Sequence, residues 1–325
     1  MAITGSGTEQ DPWIVHSYDE LISLSNTMPT GESTAYIELA NNINCNTYGT
    51  GFKWGNFYTD ARKKVVIDFA EHTIKNVLVK EGTAMFSAGH TSSQYGDGNF
   101  GHTVLKNGKL LNVFLGSQTS QIMGYGVFTL DNMSISCDAS QATNPTFHGP
   151  YYYGGNKAYI KNSAIYFRSS QLNSVPFDSP IVITDSDIWL DIENQNENDI
   201  FDTDNVTLKD CRIRGKVGGK GIFAGSPSYK NNIFNVQFTN SVIDLNIRDA
   251  KLNNTAYGWQ MIAPSKYNEG TQTTVIATTD ENGQSLFPTE IPYTPSSSWQ
   301  YASYSNIRDP DYLNEHGFIC IEVGG

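Results

Sequence analysis

Four carboxylates crowd the stretch from 185 to 193: Asp185, Asp187, Asp191 and Glu193. Cleavage of a glycosidic bond needs two nearby carboxyl groups, one as acid and one as base or nucleophile. Asp187 and Asp191 are therefore the candidate catalytic pair. Tyr166 and Trp189 add aromatic faces of the kind that pack on sugar rings. Three further segments have the composition of contact surfaces: 90–102, with Tyr95 and His102; 148–155, with Tyr151, Tyr152 and Tyr153; and 226–232, with Tyr229. Tyr, Asn, Ser and Gly make adaptable contacts, so these side chains, with Tyr166 and Trp189, are the candidate ligand-binding residues. His90, Asp97 and His102 are metal-ligating types, but their spacing matches no ligand pattern, and no metal is expected. No GxSxG, HExxH, P-loop or dinucleotide fingerprint occurs, so no cofactor is expected.

A repeat must position these residues. An apolar residue, then Asn or Asp two places on, then Leu or Ile three places later, recurs six times between 105 and 243. The anchors Asn107, Asn132, Asn162, Asp185, Asp210 and Asn240 lie 25, 30, 23, 25 and 30 residues apart, with a weaker copy at Glu71. A period of this length with strand-type residues predicts a solenoid. The third position after each anchor holds Ile74, Leu110, Ile135, Ile165, Ile188, Ile213 or Ile243. The fifth adds Cys137, Phe167, Leu190 and Leu245, and the seventh Leu78, Phe114, Ala139, Ser169, Ile192, Val217 and Ile247. Odd positions thus point inward with a period of two. The apolar residue two places before the anchor has the wrong parity for that face, so the chain must bend at the anchor. Asn and Asp tolerate the left-handed conformation such a bend needs.

The repeat register recasts the acidic stretch as a ladder. Asp185 is an anchor. Asp187 sits two places on, opposite Arg212 of the next repeat. Six places after the anchors, Asp138, Arg168, Asp191 and Lys216 alternate in sign, as surface ion pairs between parallel neighbours would. The fourth position carries Tyr166, Trp189 and Arg214, so Tyr166 stacks on Trp189 and Arg214 lies over the indole as a cation–π pair. At the fifth position, Asn76 and Asn112 are expected as inward amides bonded along the axis.

A second apolar landmark follows each anchor: Phe86, Met123, Phe147, Phe177, Phe201 and Phe223, at 13 to 16 residues. From there to the next anchor the distance is 8–9 residues in three repeats and 15–21 in the other three, so every extra residue enters at one corner. Insertions confined to one face of a repeat protein often mark its binding face.

Over about residues 65 to 260 this pattern resembles the right-handed parallel β-helix superfamily of pectate-lyase-like enzymes and phage tailspikes. The resemblance implies an all-β, single-stranded right-handed parallel β-helix of roughly seven to eight rungs, with a short N-terminal helical cap and an irregular C-terminal segment. The basic and acidic motifs of the pectate lyases find no match here. The division expected is 1–60 as N-terminal cap and opening strands, 61–255 as parallel β-helix, and 256–325 as a cap or oligomerisation segment. Within the first, Ser17 caps a helix over 19–25 and a strand follows over 36–43.

The net charge is −12 with 17% charged residues. Without basic clusters, nucleic-acid binding is not expected. No apolar run reaches ~18 residues, so no membrane-spanning segment is expected. The start lacks the basic and apolar regions of a signal peptide, which points to synthesis in a host cytoplasm. Cys45, Cys137, Cys211 and Cys320 show no CxxC spacing and read as buried free thiols. The function expected is a non-enzymatic virion structural protein of a bacteriophage, a fibre, spike or decoration component. Its partners would be itself as a homotrimer, other virion proteins and a host-surface polysaccharide. The alternatives are a polysaccharide depolymerase, lyase or glycoside hydrolase, and a bacterial surface adhesin.

Overall fold

The anchors do what their side-chain chemistry predicts. In a computed structural model of the chain, Asn107, Asn132, Asn162, Asp185 and Asp210 all have φ between 49° and 57°, and Glu71 has φ 64°. The structure describes residues 3–28, 34–45, 57–59, 63–79, 84–88, 100–115, 121–140, 146–148, 157–169, 176–192, 199–201, 203, 205–218, 221–223, 235–239, 241–248, 261–262, 275–276 and 301–302. The left-handed turn flips the parity of inward positions. Leu105, Leu130, Ile160, Ile183 and Leu208 before the anchors are buried, and so are Leu110, Ile135, Ile165, Ile188 and Ile213 after them. The bend required by the five-residue spacing is present.

The protein is all-β, with one helix among the described residues and a large parallel sheet of sixteen strands. Each strand pairs in parallel with the strand one repeat further on. Ala164–Ser169 pairs with Asp187–Ile192, which pairs with Arg212–Gly218, which pairs with Val242–Arg248. Before the anchors, Lys157–Lys161, Ile181–Thr184, Asn205–Lys209 and Asn235–Thr239 form an equivalent series. β-Branched residues fit a pleated, half-buried surface, and the inward Ile and Val columns supply that composition.

The second landmark lines a separate parallel sheet. Phe57 is opposite Phe86, and Phe86 is opposite Met123. Phe147 departs from the spacing expectation: its strand neighbours Thr146 and His148 pair with Gln121 and Met123, which sets Phe147 beside Ile122. Both Ile122 and Met123 are buried, so the one-residue offset leaves the core filled. Phe147, Phe177 and Phe201 continue the column. The Phe147 and Phe177 ring centroids are 5.7 Å apart at 63°, and those of Phe177 and Phe201 are 5.1 Å apart at 15°.

Two glycines mark close approaches. A Cβ on Gly108 would overlap Phe69 Cβ and the His72 carbonyl oxygen. Gly215 stands where other repeats carry an inward apolar side chain. Its φ of 130° and the Leu190 carbonyl oxygen leave no room for a Cβ.

The Asn76 and Asn112 expectation needs correction. The amides do bond along the axis, Asn112 Nδ2 to Asn76 Oδ1 at 3.2 Å and Asn76 Nδ2 to Asn44 Oδ1 at 2.7 Å. They lie on the outside, because both residues are themselves left-handed, with φ 62° and 53°. Each acts as a bulge and shifts the alternation by one residue. Val77, Val79, Val113 and Leu115 turn inward as a result, while Leu78 and Phe114, expected in the core, are only half-buried. A register irregularity beside Cys137 records the same extra residue.

At the N-terminus the helix spans Tyr18–Thr27. Ser17 Oγ accepts from Glu20 N at 3.2 Å and Glu20 Oε2 accepts from the N–H of His16, one residue before the cap, a variant of the capping box. Tyr18, Leu21 and Leu24 join the core. The strand expected over 36–43 is two strands, Thr34–Leu39 and Ile43–Asn44, separated at Asn41, whose side-chain amide donates to His16 O and Asn42 O. In the segment from 256, the described pieces are Met261–Ile262, paired antiparallel with Tyr301–Ala302, and Val275–Ile276, which adds in parallel to Val242–Arg248. Cys45, Cys137 and Cys211 are buried free thiols, and Cys320 lies outside the described residues.

Candidate functional site

The outward residues of Asp187–Ile192 and its two neighbours form one continuous face. Two, four and six places after each anchor, the columns read Ala164, Asp187, Arg212; Tyr166, Trp189, Arg214; and Arg168, Asp191. Trp189 is 48% exposed. Tyr166 meets it edge-on rather than stacked, with centroids 5.6 Å apart and planes at 72°. The Arg214 guanidinium carbon lies 5.0 Å from the indole centroid.

Asp187 holds Arg214 in place. Nε donates to Oδ1 at 3.1 Å and a terminal nitrogen to Oδ2 at 2.7 Å, a bidentate pair. The expected partner was Arg212, directly opposite in the register. The diagonal residue wins because the long Arg214 side chain can cover the indole and reach the carboxylate together. Asp191 accepts from the Tyr166 hydroxyl at 3.4 Å and lies 3.9 Å from Arg168 Nε. Burial, then the Asp191 charge, raise the Tyr166 phenol above its ordinary value.

The structure does not bring Asp187 and Asp191 together as a cleavage pair. They lie on one face of one strand, four residues apart, which is ~13 Å at the strand rise. Carboxyl pairs that cleave glycosides stand ~5–9.5 Å apart.

His102 begins the strand His102–Leu115, where the longest insertion rejoins the sheet. Its Nε2 lies 2.9 Å from Thr129 Oγ1. Burial, helped by the Lys64 charge, lowers its pKa to about 4, so the ring is neutral at neutral pH. Tyr95, Tyr151, Tyr152, Tyr153 and Tyr229, with His90, Asp97 and Glu193, lie outside the described residues. Two of the segments rejoin one edge: His102 and Lys157, which follow 90–102 and 148–155, both align with Val127 at the start of adjacent strands. No group of three metal-ligating side chains occurs among the described residues. No helix among them is long and apolar enough to cross a membrane.

A second charge ladder went unread in the sequence, although three of its members, Lys106, Asp131 and Lys161, stand one place before their anchors. Asp68, Lys106, Asp131 and Lys161 alternate in register. Lys106 meets Asp68 and Lys161 meets Asp131, both at 2.9 Å. Burial works against ionising Asp68, but hydrogen bonds from Ala70 N, Lys106 and Asn107 outweigh it and lower its pKa.

The spacing also gave no hint of a trough along the bend, with a volume of about 810 Å³. One wall is the anchors Glu71, Asn132, Asn162, Asp185 and Asp210; the other is Lys109, Ser134, Ala164, Asp187 and Arg212. The floor is the residue after each anchor: Gly108, Met133, Ser163, Ser186 and Cys211. These floor groups stitch the repeats together. Ser163 Oγ donates to Lys161 O and accepts from Met133 N, and Ser186 Oγ donates to Thr184 O and accepts from Ser163 N. Cys211 Sγ, in the same column, donates to Lys209 O at 3.0 Å.

No protein-family model and no curated protein matches the chain. Among solved structures, a Bacteroides ovatus protein provisionally named an immunoglobulin A1 protease is similar, with 13% identity over 85% of this chain and 86% of that one and a TM-score of 0.37. Likeness at that level assigns neither fold nor activity.

Proposed function

We propose that the parallel sheets wind into one right-handed β-helix of roughly seven to eight rungs, and that this body is a non-enzymatic bacteriophage virion protein that holds a host-surface glycan. The β-helix is supported by the pairing of each strand with the strand one repeat on, and by the left-handed turn at each described anchor. The glycan reading is carried by Trp189. It is a large aromatic ring left exposed, with its orientation set by the Tyr166 edge and by an arginine that Asp187 fixes. A pre-set aromatic loses little conformational freedom on binding. The engagement of Asp187 by Arg214 and its distance from Asp191 favour binding over cleavage. The virion assignment and a homotrimeric state rest on the resemblance to tailspikes, and particle proteins and a second copy of the chain are the partners it implies.

Binding of host-surface polysaccharide to the native protein and to Trp189→Ala, measured by calorimetry, tests the glycan reading. Native binding that weakens at least about tenfold in the variant supports it; equal binding by the two proteins removes Trp189 from the site. Mass spectrometry of purified particles tests the virion assignment, which fails if the chain is absent from them. Light scattering that shows a stable monomer at micromolar concentration counts against the trimer.

A further inference from the structure

We infer that the trough along the anchor turns seats a linear, uncharged, hydroxyl-rich polysaccharide parallel to the stacking axis. This rests on the glycan reading above and names the chain's class and its bed. The trough spans six successive repeats, from Glu71 to Asp210, ~24 Å at the spacing of parallel strands. Its middle is open because Ser134 and Ala164 are small where the same column carries Lys109 at one end and Asp187 and Arg212 at the other.

The middle carries a row of side-chain amides at one-repeat intervals. Asn132 spends its amide N–H on Asn107 Oδ1, and Asn162 spends its own on Asp131 Oδ1, both at 3.2 Å. Each side chain therefore keeps its carbonyl oxygen as an acceptor and one N–H as a donor, both of which a sugar hydroxyl can engage. The exposed carboxylate of Asp185 continues the row one repeat on. Below them the Ser163 and Ser186 hydroxyl protons go to the backbone, so the floor offers no competing donor. Amides and a carboxylate at one-repeat intervals fit a chain that presents hydroxyls along its length, since a hydroxyl both donates and accepts. Along the trough the carboxylates Glu71, Asp185, Asp187 and Asp210 outnumber the cations Lys109 and Arg212, a balance that disfavours a uronate-bearing or otherwise anionic chain. Asp187 joins this wall to the Trp189 face, since its carboxylate also orients Arg214.

Ala164→Trp tests the seat. Ala164 is exposed and its side chain leaves the core, so a bulky ring there blocks the middle without touching buried residues. Neutral glucan, mannan and galactan oligosaccharides and a polyuronate of matched length would be titrated into the native protein, Ala164→Trp and Trp189→Ala, each checked by its unfolding midpoint. The expected result is native binding of a neutral oligosaccharide, weakened at least about tenfold by Ala164→Trp, with the polyuronate bound more weakly. Native binding that Ala164→Trp leaves unchanged but Trp189→Ala abolishes overturns the seat and leaves the glycan reading standing. Preference for the polyuronate overturns the assigned class. Binding of none of these oligosaccharides or polyuronate by the native protein overturns the seat and the glycan reading together.

Discussion

Replacing Asn162 with alanine and, separately, with glycine should reverse the usual order of the two residues within a sheet. Asn162 has φ 50°, its Nδ2 donates to Asp131 Oδ1 at 3.2 Å on the exposed side, and its own N–H donates to Thr184 O. The backbone bond survives either substitution. Both variants lose the side-chain bond, which at that length and exposure is worth about 0.5 kcal/mol. Alanine then pays the cost of a Cβ in the left-handed region, about 1–2 kcal/mol. Glycine avoids that cost but loses more chain entropy on folding, about 0.5–1 kcal/mol. Alanine should therefore cost about 1.5–2.5 kcal/mol and glycine about 1–1.5, before crediting the small left-handed penalty that asparagine itself bears. Urea unfolding at matched slope reads the difference as an order of midpoints: native highest, glycine next, alanine lowest. An alanine variant as stable as the glycine one would refute the claim that backbone conformation selects these anchors. The interlocking amides would then have to be the cause.

Phe177→Ala should be far more costly, about 3–5 kcal/mol, because its ring is fully buried between Phe147 and Phe201; a midpoint shift no larger than that of the anchor variants would mean the aromatic column is not a shared core. His102 should titrate near 4 by NMR. Its unfolded value is about 6.5, so its contribution to stability is full above that pH, falls as the pH drops, and levels off below about 4. The pH-dependence of the unfolding midpoint in His102→Gln should flatten across that window, and an unchanged slope would show that the ring is not buried as a neutral group.

Much of this architecture is legible residue by residue. The five-residue gap between inward positions demanded a bend, and a short polar side chain at each bend pointed to left-handed backbone. Both effects act within a few residues, so spacing reveals them. The same logic missed Asn76 and Asn112. Their identity signalled a left-handed residue as clearly as that of Asn107 did, yet a period-two count across them hides the bulge and turns Leu78 and Phe114 the wrong way. The Asp187 partner was missed for a different reason. Register places backbone atoms opposite one another, whereas an arginine chooses its carboxylate by reach and by what its stem can cover.

The sequence by itself determined the repeat, the turn residues, the column memberships and the alternating charges, because parallel pairing converts a spacing along the chain into a neighbour across the sheet. Only the tertiary structure decided that Trp189 is exposed and flanked, that His102 is desolvated, and that anchors, small residues and buried serines enclose a trough. Those properties depend on which side chains meet across repeats and how far water is excluded, quantities that no single repeat contains.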